Sequence, residues 1–454
     1  MSDHKVVRLI EWLLQSETVY ISDKIDITHE ESSGRGVILK SGELKKNEVI
    51  ISIPSNLQLN FHTILHHLSK FNSNIKVAGV TPNADEKERN ISLDDPRIQA
   101  YGILETSELL KLSSFQLVNL YLLAEWFLLP YLSSNHKSYW EPFFDILPSS
   151  DDLRCIPAYY NCLPDSPNKI LLPYLPRSSL LHMEKISDLV RSDWSVISRY
   201  LRRWNEQFND HDIPSIEVQF EKFLHIYFVI NSRCLYTEIP LKGNAVDNFT
   251  MVPYVDFLNH TTIVDEHCYP QVVTTKRNIS VVDQFNIRTG KHEYRDEGDE
   301  ILLNYGAHSN DFLLNEYGFT VPCNGWNYID VTDLVQKMIT KEEHVSFLKD
   351  KGYWGEYSIA SEEISFRLLV VLALISTNDV ARVTKYMMGY ITDEYFAPKY
   401  SHLLRQMLEN MKKSYEHIIL EISNLHEADG LCAQNIVQLY QGYLSIIDTH
   451  LCRL

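Results

Sequence analysis

Two groups of strand-like segments, separated by a long helical stretch, constrain the fold of this chain more than any other feature of its sequence. Short β-branched runs with turn-forming residues between them fill residues 25–60, and similar runs return from residue 249 to 306. Between about residues 61 and 245 the apolar residues instead recur every three to four positions, as in amphipathic helices. The sequence therefore predicts an α+β fold whose small sheet is split by a large helical insertion.

Helical periodicity returns after the second group of strands and continues to the end of the chain. The segments "SEEISFRLLVVLALI" and "NIVQLYQGYLSIID" both place apolar residues three to four positions apart. We interpret residues 1–325 as the domain that contains the split sheet, and residues 326–454 as a separate, all-helical domain. The first residues, up to Tyr20, also have helical spacing and carry an acid within their apolar part, which favours a first helix over a signal peptide.

Composition and charge narrow the class of protein. Hydrophobic residues make up 44% of the 454 residues and charged residues 22%, which is ordinary for a globular protein. The longest apolar runs, such as "LLVVLALI", are far shorter than the roughly 20 residues that a bilayer span needs, so we expect no transmembrane segment and no membrane partner. A formal net charge of -18 disfavours direct binding of nucleic acid and favours a basic protein partner.

The cysteines give no sign of a cross-linked or zinc-binding protein. Seven cysteines are scattered along the chain, without a CxxC pair and with an odd total. Neither a disulfide framework nor a thiolate zinc site is therefore expected. This usage fits a reducing compartment, the cytoplasm and also the nucleus.

Two short stretches place polar groups within strand-like sequence. "GRG" (34–36) is either a tight turn or a place where the backbone approaches a ligand, and it lacks the following helix of a dinucleotide-binding motif. "DFLNH" (256–260) brings together a carboxylate, an amide and an imidazole, which either orient a polar ligand or satisfy their own turn. One histidine and one aspartate do not complete a coordination shell, so no metal site is expected.

Further candidates lie at the end of helical sequence and in the second group of strands. In "SRCLY", Arg233 is either a favourable cation at a helix C-terminus or a clamp for an anion. "NYGAHSNDFLLNEYGF" contains Tyr305 and Tyr317, and because the chain has 26 tyrosines, a structural role competes with a place in an active site. The charged segment "GKHEYRDEGDE" (290–300) is expected to be a solvated loop without a site.

Five segments, in this order, resemble SET-domain methyltransferases of the Rubisco large-subunit methyltransferase type. They are "GRGVILKSGELKKNEVIISIP", "SYWEPFFDILP", "NSRCLY", "VPYVDFLNH" and "GDEILLNYGAHSNDFLLNEYGF". The resemblance covers nearly the whole chain and implies a SET fold with a knot-like crossing, followed by a helical domain that binds the protein substrate. It also implies S-adenosylmethionine as the cofactor.

The resemblance implies a role for each matching residue. Tyr305 borders the methyl-transfer channel and is the expected catalytic residue. Asn259 and His260 hold the adenine and amino-acid ends of the cofactor, with Asp256 nearby. The other expected cofactor contacts are main-chain groups of Ser33, Gly34 and Arg35, the position of Arg233 beside the cofactor, and the pocket-wall residues Ser309, Asn310 and Tyr317.

Transfer of a methyl group to lysine requires an aligned, neutral amine. Because the reference pKa of lysine is about 10.4, removal of the proton costs about 4.6 kcal/mol at pH 7. Burial and a neighbouring cation both lower the pKa of a lysine, so a water-poor channel beside a sulfonium can supply this free energy. We therefore expect Tyr305 to stay neutral and to orient the amine, rather than to act as a strong base.

The resulting hypothesis is an S-adenosylmethionine-dependent protein-lysine N-methyltransferase. It is expected to act as a monomer on a non-histone protein, such as a basic ribosomal protein or translation factor. Two alternatives stay open: a catalytically silent SET-type module that docks a partner, and a protein-histidine methyltransferase of the same fold. The sequence also leaves open the number of methyl groups transferred.

Overall fold

The chain forms two compact units, and each of them is built from two separate segments. The sheet unit consists of residues 1–153 and 187–306, and the helical unit consists of residues 154–186 and 307–454. The expected domain boundary between residues 325 and 326 stays a prediction. The computed structural model describes residues 3–30, 34–82, 91–236, 247–277 and 279–454.

The described residues of the sheet unit form ten strands in three sheets. They are β1 (Tyr20–Ile21), β2 (Ile25–Glu30), β3 (Gly34–Leu39), β4 (Val49–Pro54), β5 (Leu59–Asn60), β6 (Leu235–Tyr236), β7 (Phe249–Met251), β8 (His267–Arg277), β9 (Ile279–Arg288) and β10 (Leu302–Leu303). The largest sheet has the order β1-β4-β9-β8-β10, so strands from before and after the helical insertion lie side by side. Ile53 of β4, for example, lies opposite Phe285 of β9. This pairing confirms the split sheet predicted from the sequence.

The two smaller sheets position the segments that matter for function. β2 and β3 form an antiparallel pair in which Glu30 lies opposite Gly34. β7 lies between β5 and β6, so it is held by strands from both ends of the insertion. The start of "VPYVDFLNH" follows β7 directly, which fixes its position in the sheet unit.

Helices fill the insertion, as the periodicity predicts. Asn60 and Ser113 begin two of them with capping boxes, in which side-chain and main-chain hydrogen bonds are exchanged. The helices up to residue 233 are α1 (His4–Leu13), α2 (Phe61–Phe71), α3 (Pro96–Gly102), α4 (Thr106–Leu109), α5 (Ser114–Leu122), α6 (Leu129–Leu132), α7 (Glu141–Phe144), α8 (Ser150–Leu153), α9 (Pro157–Cys162), α10 (Arg177–Gln207) and α11 (Ile216–Arg233).

One stretch of the insertion, Ser114–Leu132, is long and apolar enough to cross a membrane. However, 72% of its apolar window is buried inside the protein, and a π-helical turn at Leu123–Leu128 interrupts it. Glu125 in that turn is buried and accepts a hydrogen bond from the Tyr101 hydroxyl. Its other oxygen lies 3.6 Å from Arg97 Nη1, so the buried carboxylate has protein partners on both sides. Such burial is typical of a core helix.

The helical unit is built around one buried apolar cluster, to which Leu368 and Leu372 of the predicted apolar stripe belong. A two-stranded antiparallel ribbon, β11 (Tyr328–Asp330) with β12 (Ser358–Ala360), was not predicted, because strands of three residues show no readable period. The helices after residue 306 are α12 (Asn310–Tyr317), α13 (Thr332–Met338), α14 (Glu342–Asp350), α15 (Phe366–Thr377), α16 (Val380–Met387), α17 (Asp393–Ser423) and α18 (Gly430–Arg453).

A disulfide joins Cys155 and Cys432 within the helical unit, with the two Cα atoms 4.8 Å apart. The expectation that the cysteines form no disulfide is wrong for this pair. Because the two cysteines are 277 positions apart in the sequence, neither their spacing nor the cysteine count reveals that the fold brings them together. The same chain segments are also held by an ion pair between Arg154 and Asp429 at 2.9 Å.

Candidate active site

The segment that follows β7 forms a buried turn with an unusual backbone. Tyr254 has a φ of +74°, a conformation that bulky residues rarely adopt, and its side chain is buried. Residues Val255–Phe257 then form a single 3-10 turn that is also buried. Strained backbone at a residue other than glycine is concentrated at functional sites, so this turn is a candidate for one.

Arg233 and Asp256 meet at this turn. Arg233 is the last residue of α11, and its Nη1 donates a hydrogen bond of 2.5 Å to the main-chain oxygen of Asp256. The Asp256 carboxyl is buried, and its Oδ1 has no hydrogen-bond partner among the described residues. Burial raises the pKa of Asp256 to about 6, although the Arg233 guanidinium acts in the opposite direction. Such a carboxyl is suited to a cationic or hydrogen-bond-donating ligand.

The Asn259 amide links this turn to the glycine-containing strand β3. Its Nδ2 donates to the main-chain oxygen of Arg35 at 3.2 Å and to Glu300 Oε1 at 2.8 Å. A Cβ atom at Gly36 would lie 2.7 Å from Glu300 Oε1 and 3.1 Å from Asn259 Nδ2, so only glycine leaves room for this contact. Gly36 therefore allows β3 to approach two protein side chains closely, and the approach of a ligand to "GRG" stays a prediction. Gly34 has a φ of +74°, a conformation that favours glycine.

His260 and Tyr305 form a stacked pair. Their ring centroids are 5.0 Å apart, and the main-chain N–H of Tyr305 donates to His260 Nδ1 at 3.1 Å. Because Nδ1 accepts this hydrogen bond, the neutral imidazole carries its proton on Nε2. The Tyr305 hydroxyl donates to the main-chain oxygen of Leu258 at 2.7 Å, so the phenol is tied to the same turn.

The electrostatic surroundings keep the Tyr305 phenol neutral. Burial raises its pKa to about 12. The carboxylates of Asp256 and Glu300 act in the same direction, while the Arg233 guanidinium opposes them. The phenol is therefore expected to be neutral at pH 7, while the role of Tyr305 in orienting the amine stays a prediction.

Arg35 uses its main chain and its side chain in different places. Its carbonyl accepts from Asn259, whereas its guanidinium forms an ion pair with Asp3 at 2.8 Å and donates to the main-chain oxygen of Ile146 at 3.0 Å. Its carbonyl therefore holds the Asn259 amide, and the expected main-chain contact of this loop with the cofactor stays a prediction. Ser33, expected to act in the same way, lies outside the described residues.

The other expected cofactor contacts belong to the helical unit. Ser309 begins α12 as its N-cap, since its Oγ accepts from the main-chain N–H of Phe312. The Asn310 amide exchanges two hydrogen bonds with the main chain of Val321, at 2.9 and 3.0 Å. Tyr317 packs its ring against Phe319. These contacts describe local structural roles, and the expected cofactor roles of Ser309, Asn310 and Tyr317 stay predictions.

The sheet unit thus brings together most of the expected residues from distant segments. Direct hydrogen bonds connect Arg35 with Asn259, Arg233 with Asp256, and His260 with Tyr305.

Sequence reasoning missed two residues at this place. Gly36 was considered only as part of the turn motif, and Glu300 fell in a charged segment that was expected to be a solvated loop. That expectation is wrong for Glu300, which is half-buried and bonded to Asn259. One sequence signal could have identified Glu300. It is the last residue of the charged segment and directly precedes the apolar "ILL", so it lies beside a strand and not in the middle of a loop.

Comparisons with known protein sequences show similarity to ribosomal lysine N-methyltransferases. Residues 327–453 match the sequence model of the ribosomal lysine N-methyltransferase 2 C-terminal domain. Ribosomal lysine N-methyltransferase 2 of Saccharomyces cerevisiae is 45% identical, and the match covers 98% of this chain and 98% of that protein. Ribosomal lysine N-methyltransferase set11 of Schizosaccharomyces pombe is 23% identical, over 54% of this chain and 65% of its own length.

Solved structures show the same fold. The SET domain of LSMT bound to lysine and AdoHcy superposes with a TM-score of 0.56 at 14% identity, covering 99% of this chain and 90% of that one. Rubisco LSMT bound to AdoMet gives a TM-score of 0.53, also at 14% identity, covering 99% of this chain and 91% of that one. These likenesses, together with the split sheet, confirm the predicted fold class.

Proposed function

Because the chain belongs to the family of ribosomal lysine N-methyltransferase 2, we propose that it transfers a methyl group from S-adenosylmethionine to a lysine side chain of a ribosomal protein. One observation carries this proposal beyond the likeness itself. β3, the turn at residues 256–260 and Tyr305 meet through direct hydrogen bonds within the sheet unit. A chain that only docked a partner would have no physical need for this arrangement.

The polar groups at this place fit S-adenosylmethionine. When bound, S-adenosylmethionine supplies an electrophilic methyl group on a sulfonium. Asp256 offers a buried carboxyl whose Oδ1 is without a partner in the described part of the chain, and the cofactor is cationic. The Asn259 Nδ2 group donates both of its hydrogens, to the Arg35 carbonyl and to Glu300 Oε1. This orientation of the amide leaves Oδ1 as an acceptor for the cofactor. Asp256, Asn259 and the main chain of β3 would therefore hold the cofactor, and part of the cost of burying the Asp256 carboxylate would be offset on binding.

Tyr305 is the group that we assign to the substrate amine. Its hydroxyl hydrogen is donated to Leu258, which leaves the phenol oxygen able to accept a hydrogen bond from the amine. Since the phenol is neutral and has a raised pKa, it stabilises a correctly oriented amine without taking its proton. Water exclusion and the nearby cation then favour the neutral form of the lysine.

The charge of the chain supports a basic substrate. A net charge of -18 attracts a cationic protein and repels phosphate backbones. We therefore propose that the enzyme acts on the basic protein itself, without direct contact to nucleic acid or a membrane. We further propose that it acts as a monomer.

A methylation assay that compares the unmodified protein with one variant, together with titration of the cofactor, tests the proposal. The purified protein is incubated with S-adenosylmethionine and ribosomal proteins from cells that lack its gene, and the products are analysed by intact and fragment mass spectrometry. We expect a cofactor-dependent methyl increment on a lysine, and its loss in Tyr305→Phe. If isothermal titration shows no binding of the cofactor, the silent module is supported instead. If the products carry the methyl group on histidine, the histidine-directed alternative is supported.

A further inference from the structure

An asparagine side chain presents two chemically opposite ends. Nδ2 donates and Oδ1 accepts, so the orientation of the amide decides which ligand group it can hold. In Asn259 both hydrogens of Nδ2 are used, one by the Arg35 carbonyl and one by the Glu300 carboxylate. Both neighbours only accept hydrogen bonds, so the donor end must face them. Oδ1, for which the described residues provide no partner, is left to accept from a ligand.

Of the two hydrogen bonds that fix the orientation of the Asn259 amide, the one to Glu300 is the stronger. Its hydrogen bond to Asn259 is 2.8 Å long, against 3.2 Å for the bond to Arg35. Hydrogen bonds to a charged acceptor are also roughly twice as strong as those between neutral groups. Without Glu300, Asn259 would keep a single neutral hydrogen bond, and its amide could exchange its two ends.

The position of Glu300 is itself fixed by β3. Main-chain hydrogen bonds at residues 299 and 301 connect its backbone to this strand, at 2.8 and 2.7 Å. The space for its carboxylate exists because Gly36 has no side chain. The same strand therefore supplies the Arg35 carbonyl, the room for Glu300 and the anchor of its backbone.

We propose that Glu300 is a positioning residue for S-adenosylmethionine. Its carboxylate holds Nδ2 of Asn259, so that Oδ1 is presented to the cofactor as a hydrogen-bond acceptor. Glu300 acts through Asn259 and has no part in the chemical step. This inference rests on the proposed function, because it concerns the binding of the cofactor of that reaction.

Two substitutions separate this role from a purely structural one. Glu300→Leu removes the acceptor, whereas Glu300→Gln keeps an acceptor of the same shape without the charge. We expect the Kd for S-adenosylmethionine, measured by isothermal titration, to rise about tenfold in Glu300→Leu and to stay within about threefold in Glu300→Gln. In steady-state assays, Glu300→Leu should raise the KM for the cofactor more than it lowers kcat. Glu297→Leu, at an exposed acid of the same segment, is the matched control and should change neither value.

A second substitution keeps residue Glu300 but moves its carboxylate away from Asn259. In Gly36→Ala the added methyl group would lie 2.7 Å from Glu300 Oε1 and must displace the carboxylate from Asn259. We expect a loss of cofactor affinity similar to that of Glu300→Leu. Gly102→Ala is the control, since a Cβ atom there meets no described atom within 4 Å. This pair tests the inference even if Glu300→Leu fails to fold, which thermal unfolding would reveal.

The outcomes separate this inference from the proposed function. If the unmodified protein does not bind S-adenosylmethionine, the proposed function fails, and the inference falls with it. If it binds, but folded Glu300→Leu or Gly36→Ala binds within about twofold of it, only the inference fails. The inference also fails if Glu300→Gln is as weak as Glu300→Leu, because the charge and not the hydrogen bond would then matter.

Discussion

Replacement of Asp256 by asparagine should stabilise the unliganded protein and, at the same time, weaken its binding of S-adenosylmethionine. In the folded chain, burial raises the pKa of Asp256 from 3.8 to about 6. A carboxyl with a raised pKa holds its proton more tightly in the folded than in the unfolded state. Its contribution to stability is therefore largest at low pH and is lost as the pH rises through this interval. At neutral pH the ionised group destabilises the fold, and asparagine removes that cost.

The size of the effect follows from the two pKa values. A difference of about two units corresponds to about 3 kcal/mol at pH 7. The sheet unit has about 270 residues, and its unfolding entropy is therefore on the order of 0.6 kcal/mol per degree. Asp256→Asn should accordingly raise the thermal midpoint of the unliganded sheet unit by about 5 °C at pH 7. Below about pH 4 the gain should vanish, since the carboxyl of the natural residue is then protonated as well.

The assay compares thermal unfolding of the two proteins without ligand, from about pH 4 to about pH 8. At each pH, the midpoint of the unmodified protein is subtracted from that of Asp256→Asn. Other titrating groups cancel in this difference because both proteins contain them; His62 and His225, whose pKa values burial lowers to about 4, are two examples. Excess S-adenosylmethionine should reverse the order of the midpoints at pH 7, because only the carboxylate binds the cofactor well. Glu297→Gln, at an exposed acid, serves as the control.

Two results would refute this reasoning. The first is an unliganded Asp256→Asn protein that is less stable than the unmodified one at pH 7, which would mean that the buried carboxylate is satisfied after all. The second is a difference between the two midpoints that does not change with pH, which would mean that Asp256 does not titrate in the expected interval.

Three further predictions follow from other parts of the structure. Tyr305→Phe should lower kcat about 100-fold and leave the Kd for S-adenosylmethionine within about threefold, as measured by steady-state methylation and by titration; equal losses would contradict a role in orienting the amine. Reduction of the Cys155–Cys432 disulfide, which closes a loop of 277 residues, should lower the stability of the helical unit by up to about 5 kcal/mol, seen as a reductant-dependent fall in its thermal midpoint. The double variant Cys155→Ser/Cys432→Ser should not respond to reductant, and a response in it would show that other thiols are involved. The KM for a basic protein substrate should rise when salt is increased from about 0.05 to about 0.5 M, because screening weakens its attraction to a chain of net charge -18; a constant KM would argue against electrostatic attraction.

The sequence pattern is enough to predict the split sheet, but not its strand order. Alternation and β-branched runs mark β4 and β9 as strands, yet nothing local shows that Ile53 faces Phe285. The ribbon of β11 and β12 was missed because each strand is too short to show a period. The helical insertion was predictable because its apolar spacing persists over many turns.

The candidate site, like the fold, could be predicted from the sequence only in part. Residue types and their order pointed to Asn259, His260 and Tyr305, since these motifs are compact in the sequence. Glu300 was missed because a carboxylate that follows other charged residues normally faces solvent, and only the close approach of β3 makes it a partner of Asn259. The raised pKa of Asp256 was also not predictable, because it depends on burial and not on sequence neighbours.

The arrangement of the helical unit has a consequence for the synthesis of the chain. Leu171 and Leu175 lie in the buried cluster of this unit, but their segment, residues 154–186, is made long before the rest. Cys432 follows Cys155 by 277 positions, which the ribosome covers in roughly 15–60 s. During that time these leucines must face water or a chaperone, and the covalent link cannot close. A nascent chain that is released early would therefore expose this segment permanently, which makes it the expected starting point for aggregation.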